Sequence, residues 1–490
     1  MTITEREATT PVQARAVTRA WWQAVRRHCL FLLVLTAGLV LRVLAGTAYR
    51  PALLYIDSVK YLEGSVATAP QGYQALIRLL EPAGGLALVA AVQHVFGLAM
   101  AVALYAVLLR RGAPRWAATL AAAPVLLDAY QLQLEQTIMP DVLFETMIAA
   151  GLVVLLWRPG RWPLAAGALV LGAAVTVREI GAVLIVPVVV FAALTVRGWR
   201  PNWRHRVRRG LLAAGCFMLP VLAYLAGTFA VTGHVGMAGN GPSPQYGRAA
   251  AAADCATLRL PADERALCPS PAQTMALGGI DGLLHNPRSP GHTVPVPPGL
   301  TRDEFLDRFA IAVFRQQPLR VAASVARDSV RLFAPVRDGD PQVTPIARWQ
   351  FQDVYPVYPR RYSMAFLTRL AHAHGSGGDL VAVQPVASFL RAYQLGGGYT
   401  PGPLYAVFGI AGVAGALRRR GGQLTVQLTD LRLPCLLVTL SAVVLLAGAD
   451  AFEFSWRYQL PAVVLLPLAG ALGVTALMRG RASRSAAPSG

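Results

Sequence analysis

Apolar runs long enough to cross a bilayer alternate along this chain with short polar breaks. A hydrocarbon core of ~30 Å takes about 20 residues of helix. Runs of this kind fall near 29–48, 85–109, 114–130, 141–157, 163–177, 180–196, 211–231, 401–417, 433–449 and 460–478. The pattern predicts an all-α polytopic membrane protein of about ten transmembrane helices. Residues 1–28 and 479–490 become tails on one side. The first apolar run is too long for the core of a cleavable signal, so it is expected to remain as an anchor.

One long polar region, 232–400, separates spans seven and eight. The expected division is therefore a tail (1–28), a seven-span module (29–231) with a first loop at 49–84, a loop domain (232–400), three closing spans (401–478) and a second tail (479–490). Within the loop domain, 233–300 is dense in proline and glycine. Proline excludes long helices there, so an ordered but irregular loop is expected. From Asp303 to Phe333 the pattern changes to a helical stripe: Phe305, Phe309, Val313 and Phe314 share a face, Pro318 breaks the run, and Val321, Val325 and Leu332 resume it. Such helices suit the outer membrane surface. Shorter amphipathic stretches follow at 362–372 and 381–394. No internal repeat is visible, which weighs against transporters built on repeats.

Composition sharpens the class. The 490 residues are 55% hydrophobic and only 14% charged, against about 25% charged in soluble domains. The net charge of +20 would ordinarily point to nucleic acid. Here the arginines gather in short segments between apolar runs, which is the positive-inside pattern. With a cytoplasmic N-terminus, the short inside segments hold 23 Lys and Arg and the short outside segments 5. Both termini are thus expected in the cytoplasm of a multi-pass plasma-membrane protein. The loops at 49–84, 131–140, 178–179 and 450–459, and the domain 232–400, are expected outside. The basic segment 197–209 reads as an anchor on anionic lipid, not a nucleic-acid site. Cys255 and Cys268, thirteen positions apart in the outer domain, are either a disulfide or two free thiols. No CxxC or Cys/His zinc spacing occurs, and His372, His374 and Asp379 read as a solvated loop, so no metal is indicated.

Under this topology the polar residues collect at the outer ends of the spans. The first loop supplies Asp57, Ser58, Lys60, Tyr61 and Glu63. The next two supply Glu135, Asp141, Arg178 and Glu179. The last supplies Asp450, Glu453, Trp456, Arg457, Tyr458 and Gln459. The spans themselves are nearly free of charge, Arg42 and Glu145 excepted. An ion pathway would place charges at mid-depth, so this distribution favours chemistry at the outer surface. Bland roles compete: Asp57 as a helix cap, Asp141 as a dipole partner after Pro140, Arg457 as an interfacial anchor between two aromatics. Glu145, one turn beyond Asp141, is expected to hydrogen-bond a neighbouring helix.

Three stretches carry a resemblance: Asp57-Ser58-Val59-Lys60-Tyr61-Leu62 just after the first span, Asp141 opening the helix after the second outer loop, and Trp456-Arg457-Tyr458-Gln459-Leu460-Pro461 leading into the last span. In order and in side they resemble the GT-C superfamily of polyprenyl-phosphate-dependent glycosyltransferases. Relatives include the protein O-mannosyltransferases and the aminoarabinose transferases of lipid A. The resemblance covers the arrangement of 29–231 and 450–478; the domain 232–400 matches in position only. It implies an enzyme that transfers a sugar from a polyprenyl-phosphate donor to an extracytoplasmic acceptor, which is a protein, a lipid or a glycan. The catalytic candidates are then Asp57 as general base, with Asp141 or Glu135 positioning. Arg178, Arg457 and Lys60 would bind the donor phosphate, and Tyr61 and Tyr458 would position substrate. Many members carry Asp-Glu at the first position; Ser58 replaces that glutamate here, which weighs against a metal ligand. Two other readings fit the same features: a translocase for lipid-linked glycans, and a non-catalytic subunit of envelope assembly.

Overall fold

A computed structural model describes residues 11–64, 69–195, 203–233, 235–237, 244–337, 339–340, 343–357, 361–418 and 430–485. Parts of both tails and of the basic segments 197–209 and 418–432 lie outside the described residues. The chain is helical almost throughout. The first half forms α1 (Pro11–Ala48), α2 (Ile56–Glu63), α3 (Gln71–Arg110), α4 (Arg115–Leu127), α5 (Ala129–Gln136), α6 (Asp141–Trp157), α7 (Arg161–Val175), a 3-10 turn (Glu179–Leu184), α8 (Ile185–Leu194) and α9 (Trp203–Thr232).

Among the described residues, five helices are long and apolar enough to cross a membrane, by length and composition: Val25–Ala48 of α1, α3, α9, and two helices near the C-terminus, Arg432–Asp450 and Ala462–Arg479. Large apolar side chains such as Leu33, Leu222 and Val443 remain exposed on their flanks, as lipid-facing surfaces require. This is a multi-pass helical membrane protein. The ten apolar runs read from the sequence fall on helical segments: 141–157 has the ends of α6, 180–196 covers the 3-10 turn and α8, and most others differ by a few residues at one end. The run expected at 85–109 starts at a kink: the backbone leaves helical geometry at Gly84 and Gly85, and 71–83 forms a separate helical arm before it. Gly85 takes φ +59, and a Cβ there would meet the Gly375 carbonyl oxygen at 2.5 Å. The run at 114–130 splits at Asp128, which leaves helical geometry and accepts the Tyr130 N–H at 3.0 Å to cap α5.

Between α9 and the closing helices, the region expected to be irregular holds short helices instead: α10 (Pro244–Ala252), α11 (Ala262–Arg265), α12 (Pro271–Leu277), α13 (Gly279–His285) and α14 (Pro290–Thr293). The prolines limit their length without preventing them, because Pro244, Pro271 and Pro290 stand at first helical positions, where a missing N–H costs nothing. The amphipathic stretch becomes α15 (Arg302–Gln316) and α16 (Pro318–Arg331), divided at Pro318, and is followed by α17 (Met364–Ala373) and α18 (Val386–Leu395). The apolar face of α15 does not lie open: Phe305 and Phe309 are fully buried with Tyr246 of α10 and Leu283 of α13 in a separate small core. A disulfide joins Cys255 to Cys268 beside it.

The closing helices are α19 (Gly402–Leu417), α20 (Arg432–Asp450) and α21 (Ala462–Ser485). Neighbouring helices pack in a ring that runs α1, α4, α21, α20, α8, α9, α7, α6, α3 and back to α1, with α19 outside against α20 and α21. Segments far apart in sequence are fastened to the loop after α1. Tyr49–Arg50 pairs antiparallel with Val381–Ala382, and the Tyr355 hydroxyl donates to the Ala52 carbonyl at 2.8 Å.

Candidate functional site

Three helix starts or ends and one loop converge on Arg457. The helix α2 begins after Tyr55, whose N–H donates to Ser58 Oγ at 2.8 Å. Ser58, wholly buried, is therefore the residue that caps the turn. Asp57 is freed from the capping role, and its side chain, 30% exposed, points to the cluster. Arg457 Nη1 meets Asp57 Oδ2 at 2.9 Å. The other edge of the guanidinium grips Asp141 at the start of α6: Nε donates to both carboxylate oxygens at 3.0 Å, and Nη2 lies 3.0 Å from Oδ2. Arg178, just past α7, is the second cation on Asp141. Lys60 Nζ stands 3.5 Å from Asp57 Oδ1.

The two carboxylates differ in access. Asp141 is 2% exposed and enclosed by two guanidiniums, whereas Asp57 keeps an open edge. Burial disfavours the charged form of Asp57, but the Lys60 ammonium and the Arg457 guanidinium outweigh it and hold the carboxyl at about 2. Three cations face these two carboxylates, with Glu179 within electrostatic reach of Lys60.

Aromatic rings frame this core. Tyr458 lies between the cations, with Arg178 5.0 Å and Arg457 5.5 Å from its ring centre. Tyr61 is buried edge-on to Tyr73, with the Lys60 ammonium 5.3 Å from its ring centre. Trp349, on a 3-10 turn between α16 and α17, packs beside Tyr55 with ring centres 4.6 Å apart and lies 5.4 Å from the Arg457 guanidinium.

The structure thus brings Asp57, Lys60, Tyr61, Asp141, Arg178, Arg457 and Tyr458 together. Glu135 lies elsewhere. It is wholly buried, paired with Arg42 at 2.7 Å and His94 at 2.9 Å, and accepts from Gln131 at 3.2 Å. That network joins α1, α3 and α5 within the bundle, and it accounts for Arg42, which is buried without facing lipid. Glu145 also departs from expectation: it is buried, and neither of its carboxylate oxygens has a hydrogen-bond partner among the described residues. Asp450 and Gln459 bond each other at 2.7 Å, and Asp450 accepts from Ser329 at 2.7 Å, which ties the end of α20 to α16.

Sequence reasoning missed Arg348, Trp349, Asp281 and His285. Arg348 forks onto Asp281 at 3.2 and 3.1 Å and reaches the Tyr55 hydroxyl at 3.5 Å. Asp281 and His285, one turn apart on α13, meet Glu453, and one ligand atom from each lies within 4.8 Å of the others. The four-residue spacing was the available signal; nothing local linked it to Glu453. Burial, reinforced by Asp281, pushes the Glu453 carboxyl up to about 7. These donors suit a divalent ion by type, but Asp281 is already paired with Arg348, and Thr344 donates to Glu453.

No protein-family profile matches the chain, and no curated protein matches it. Among solved structures, it matches the crystal structure of ArnT from Cupriavidus metallidurans bound to undecaprenyl phosphate. The match has 13% identity and a TM-score of 0.33, over 93% of this chain and 79% of that one. A likeness this distant assigns no activity, and the functional reading rests on the site itself.

Proposed function

We propose that this protein is an integral-membrane glycosyltransferase that moves a sugar from a polyprenyl-phosphate donor to an acceptor outside the membrane. The observation that carries the reading is the fork of Arg457 between Asp57 and Asp141, with Arg178 and Lys60 beside them. This set supplies the two things the reaction needs: an accessible carboxylate and fixed cations clustered beside it.

In an inverting transfer the acceptor oxygen attacks the anomeric carbon as the bond to the phosphate oxygen breaks. Asp57 takes the acceptor proton. A carboxyl held near 2 is a weak base, so the proton moves late, when the attacking hydroxyl has become acidic. Positioned bases of this kind contribute roughly 10²–10⁴-fold. The polyprenyl phosphate leaves with growing negative charge, and cations already in place stabilise it without rearrangement. Arg178 and Arg457 offer planar forks suited to phosphate, and Lys60 adds a point charge at the open edge. Asp141, enclosed, positions both arginines. Tyr61 and Tyr458 supply apolar walls for the sugar. The site faces outward, at the ends of α1, α6 and α7, in this reading. Glu135 has no place in it.

Purified protein given a radiolabelled polyprenyl-phosphate sugar and the right acceptor is expected to release polyprenyl phosphate. Asp57→Asn is expected to bind the donor and not turn it over. Full transfer by Asp57→Asn would remove Asp57 as the base; transbilayer movement of the labelled lipid without its consumption would replace the enzyme by a translocase.

A further inference from the structure

A cavity with one basic wall lies at the other end of α6 from Asp141. The helix runs from Asp141 to Trp157, so the two sites stand ~25 Å apart at 1.5 Å per residue. The cavity encloses about 460 Å³, and Arg111, Arg158, His205, Arg209 and Asp430 supply its charged wall. Its remaining wall is largely apolar, with Leu164 and Phe191 among the lining side chains.

Arginines at helix ends often serve only to hold carbonyls. Arg111 does so, its Nε donating to the Leu156 carbonyl at 2.6 Å. The others are not used that way. Arg158 makes no hydrogen bond or ion pair among the described residues. Arg209 keeps a buried Nε with no hydrogen-bond partner, a state a buried donor adopts only at a cost unless something accepts from it. Among the lining residues the one carboxylate is Asp430, whose Oδ1 accepts the Arg432 N–H at 3.1 Å at the start of α20, and three arginines outnumber it. At Gly160, on the rim, α7 begins with no side chain capping its first turn, so its free N–H groups add positive potential.

We propose that this cavity binds a phosphate ester, held by Arg158 and Arg209 with Arg111 behind them, and that its source is the headgroup of an anionic phospholipid. Guanidinium forks match phosphate oxygens, basic pockets between membrane helices take such headgroups, and the apolar wall suits a ligand with attached acyl chains better than a free ion. The site is independent of the transfer chemistry.

Full-length protein, stripped of lipid in detergent, is titrated with dioleoylphosphatidylglycerol, with dioleoylphosphatidylcholine and with inorganic phosphate, and adducts are counted by native mass spectrometry. One phosphatidylglycerol is expected to bind in preference to phosphatidylcholine. Arg158→Gln, at an exposed position without partners, is expected to fold normally and weaken that binding about tenfold, as loss of one charge-assisted bond would. The double variant with Arg209→Gln is expected to abolish it. Arg161→Gln, an equal charge loss outside the cavity, is expected to leave it unchanged. Binding that survives Arg158→Gln, or falls equally in Arg161→Gln, would overturn the site. Adducts with inorganic phosphate but not with phosphatidylglycerol would overturn the lipid source.

Discussion

Arg457 offers the sharpest test because one side chain holds the whole cluster. Its guanidinium is 4% exposed and bonds two carboxylates whose chain positions are 316 and 400 residues away. Arg457→Gln leaves Asp141 with Arg178 alone and Asp57 with Lys60 alone, and reduces three cations against two carboxylates to two against two. Removing one partner of a buried pair costs about 3–5 kcal/mol. That is a drop of several degrees in the unfolding midpoint. Arg457→Lys separates stability from chemistry. It restores the charge, but a single Nζ cannot span Asp57 Oδ2 and both oxygens of Asp141, so one carboxylate is released. Losing a charge-assisted bond costs about 1.5–3 kcal/mol, which predicts kcat reduced roughly 10- to 150-fold, with the midpoint recovering most of the loss. The assay is release of polyprenyl phosphate from labelled donor, read as kcat and KM separately, with thermal unfolding in the same detergent. Wild-type kcat and KM in Arg457→Lys would refute the argument that the fork, rather than mere charge, organises the site.

Three further outcomes follow from the same geometry. The Asp57 carboxyl is held at about 2 against about 3.9 when unfolded, so its ion pairs stabilise the protein fully above about pH 4 and are lost as pH falls through 2; kcat/KM is expected to stay level down to about pH 3, and an acid limb near pH 5 would contradict the pairing. Gly97→Ala would place a Cβ 2.0 Å from Glu135 Oε1 and 2.6 Å from Arg42 Nη2; forcing that buried pair apart is expected to lower stability by about 3 kcal/mol while kcat per folded molecule stays the same, and a loss of kcat without a loss of stability would return Glu135 to the chemistry. The disulfide closes thirteen residues, so Cys255→Ser is expected to loosen the small core around Phe309 by about 3 kcal/mol, seen as faster limited proteolysis between 244 and 316, and unchanged proteolysis would show that the core stands without it.

Hydropathy made the bundle legible because a lipid-facing helix must be apolar over its whole length. Hydropathy locates the start of a span at Gly85 without showing why the chain kinks there, and it misses the break at Asp128; both are decided by contacts from elsewhere: the Gly375 carbonyl under Gly85, and Arg337 and the Thr400 N–H on Asp128 at 3.0 and 2.8 Å. In the loop domain, proline density points to irregularity when each proline is weighed as a breaker. Placed at first helical positions, the same residues start helices. The face of α15 read as membrane-bound is instead buried in a private core, since amphipathicity shows that a face is covered without showing by what.

The site divides along the same line. Asp57, Asp141, Arg178 and Arg457 stood out because charge at the end of an apolar span is rare enough to ask for a reason. Glu135 stood out for the same reason, yet belongs to Arg42 and His94. No local pattern separates the two cases, because a carboxylate near a helix end satisfies either an inward cation or an outward one. What separates them is exposure. Glu135 is sealed on every side and all its partners are spent on it, while Asp57 shares Arg457 with Asp141 and keeps one edge open to solvent. A base must reach its substrate, so in the proposed transfer the incompletely enclosed Asp57 is the acid assigned to take the proton from an incoming hydroxyl. The enclosed Asp141 can affect that event only through the arginines it holds, and its conservative Asn variant should therefore alter donor affinity as well as turnover.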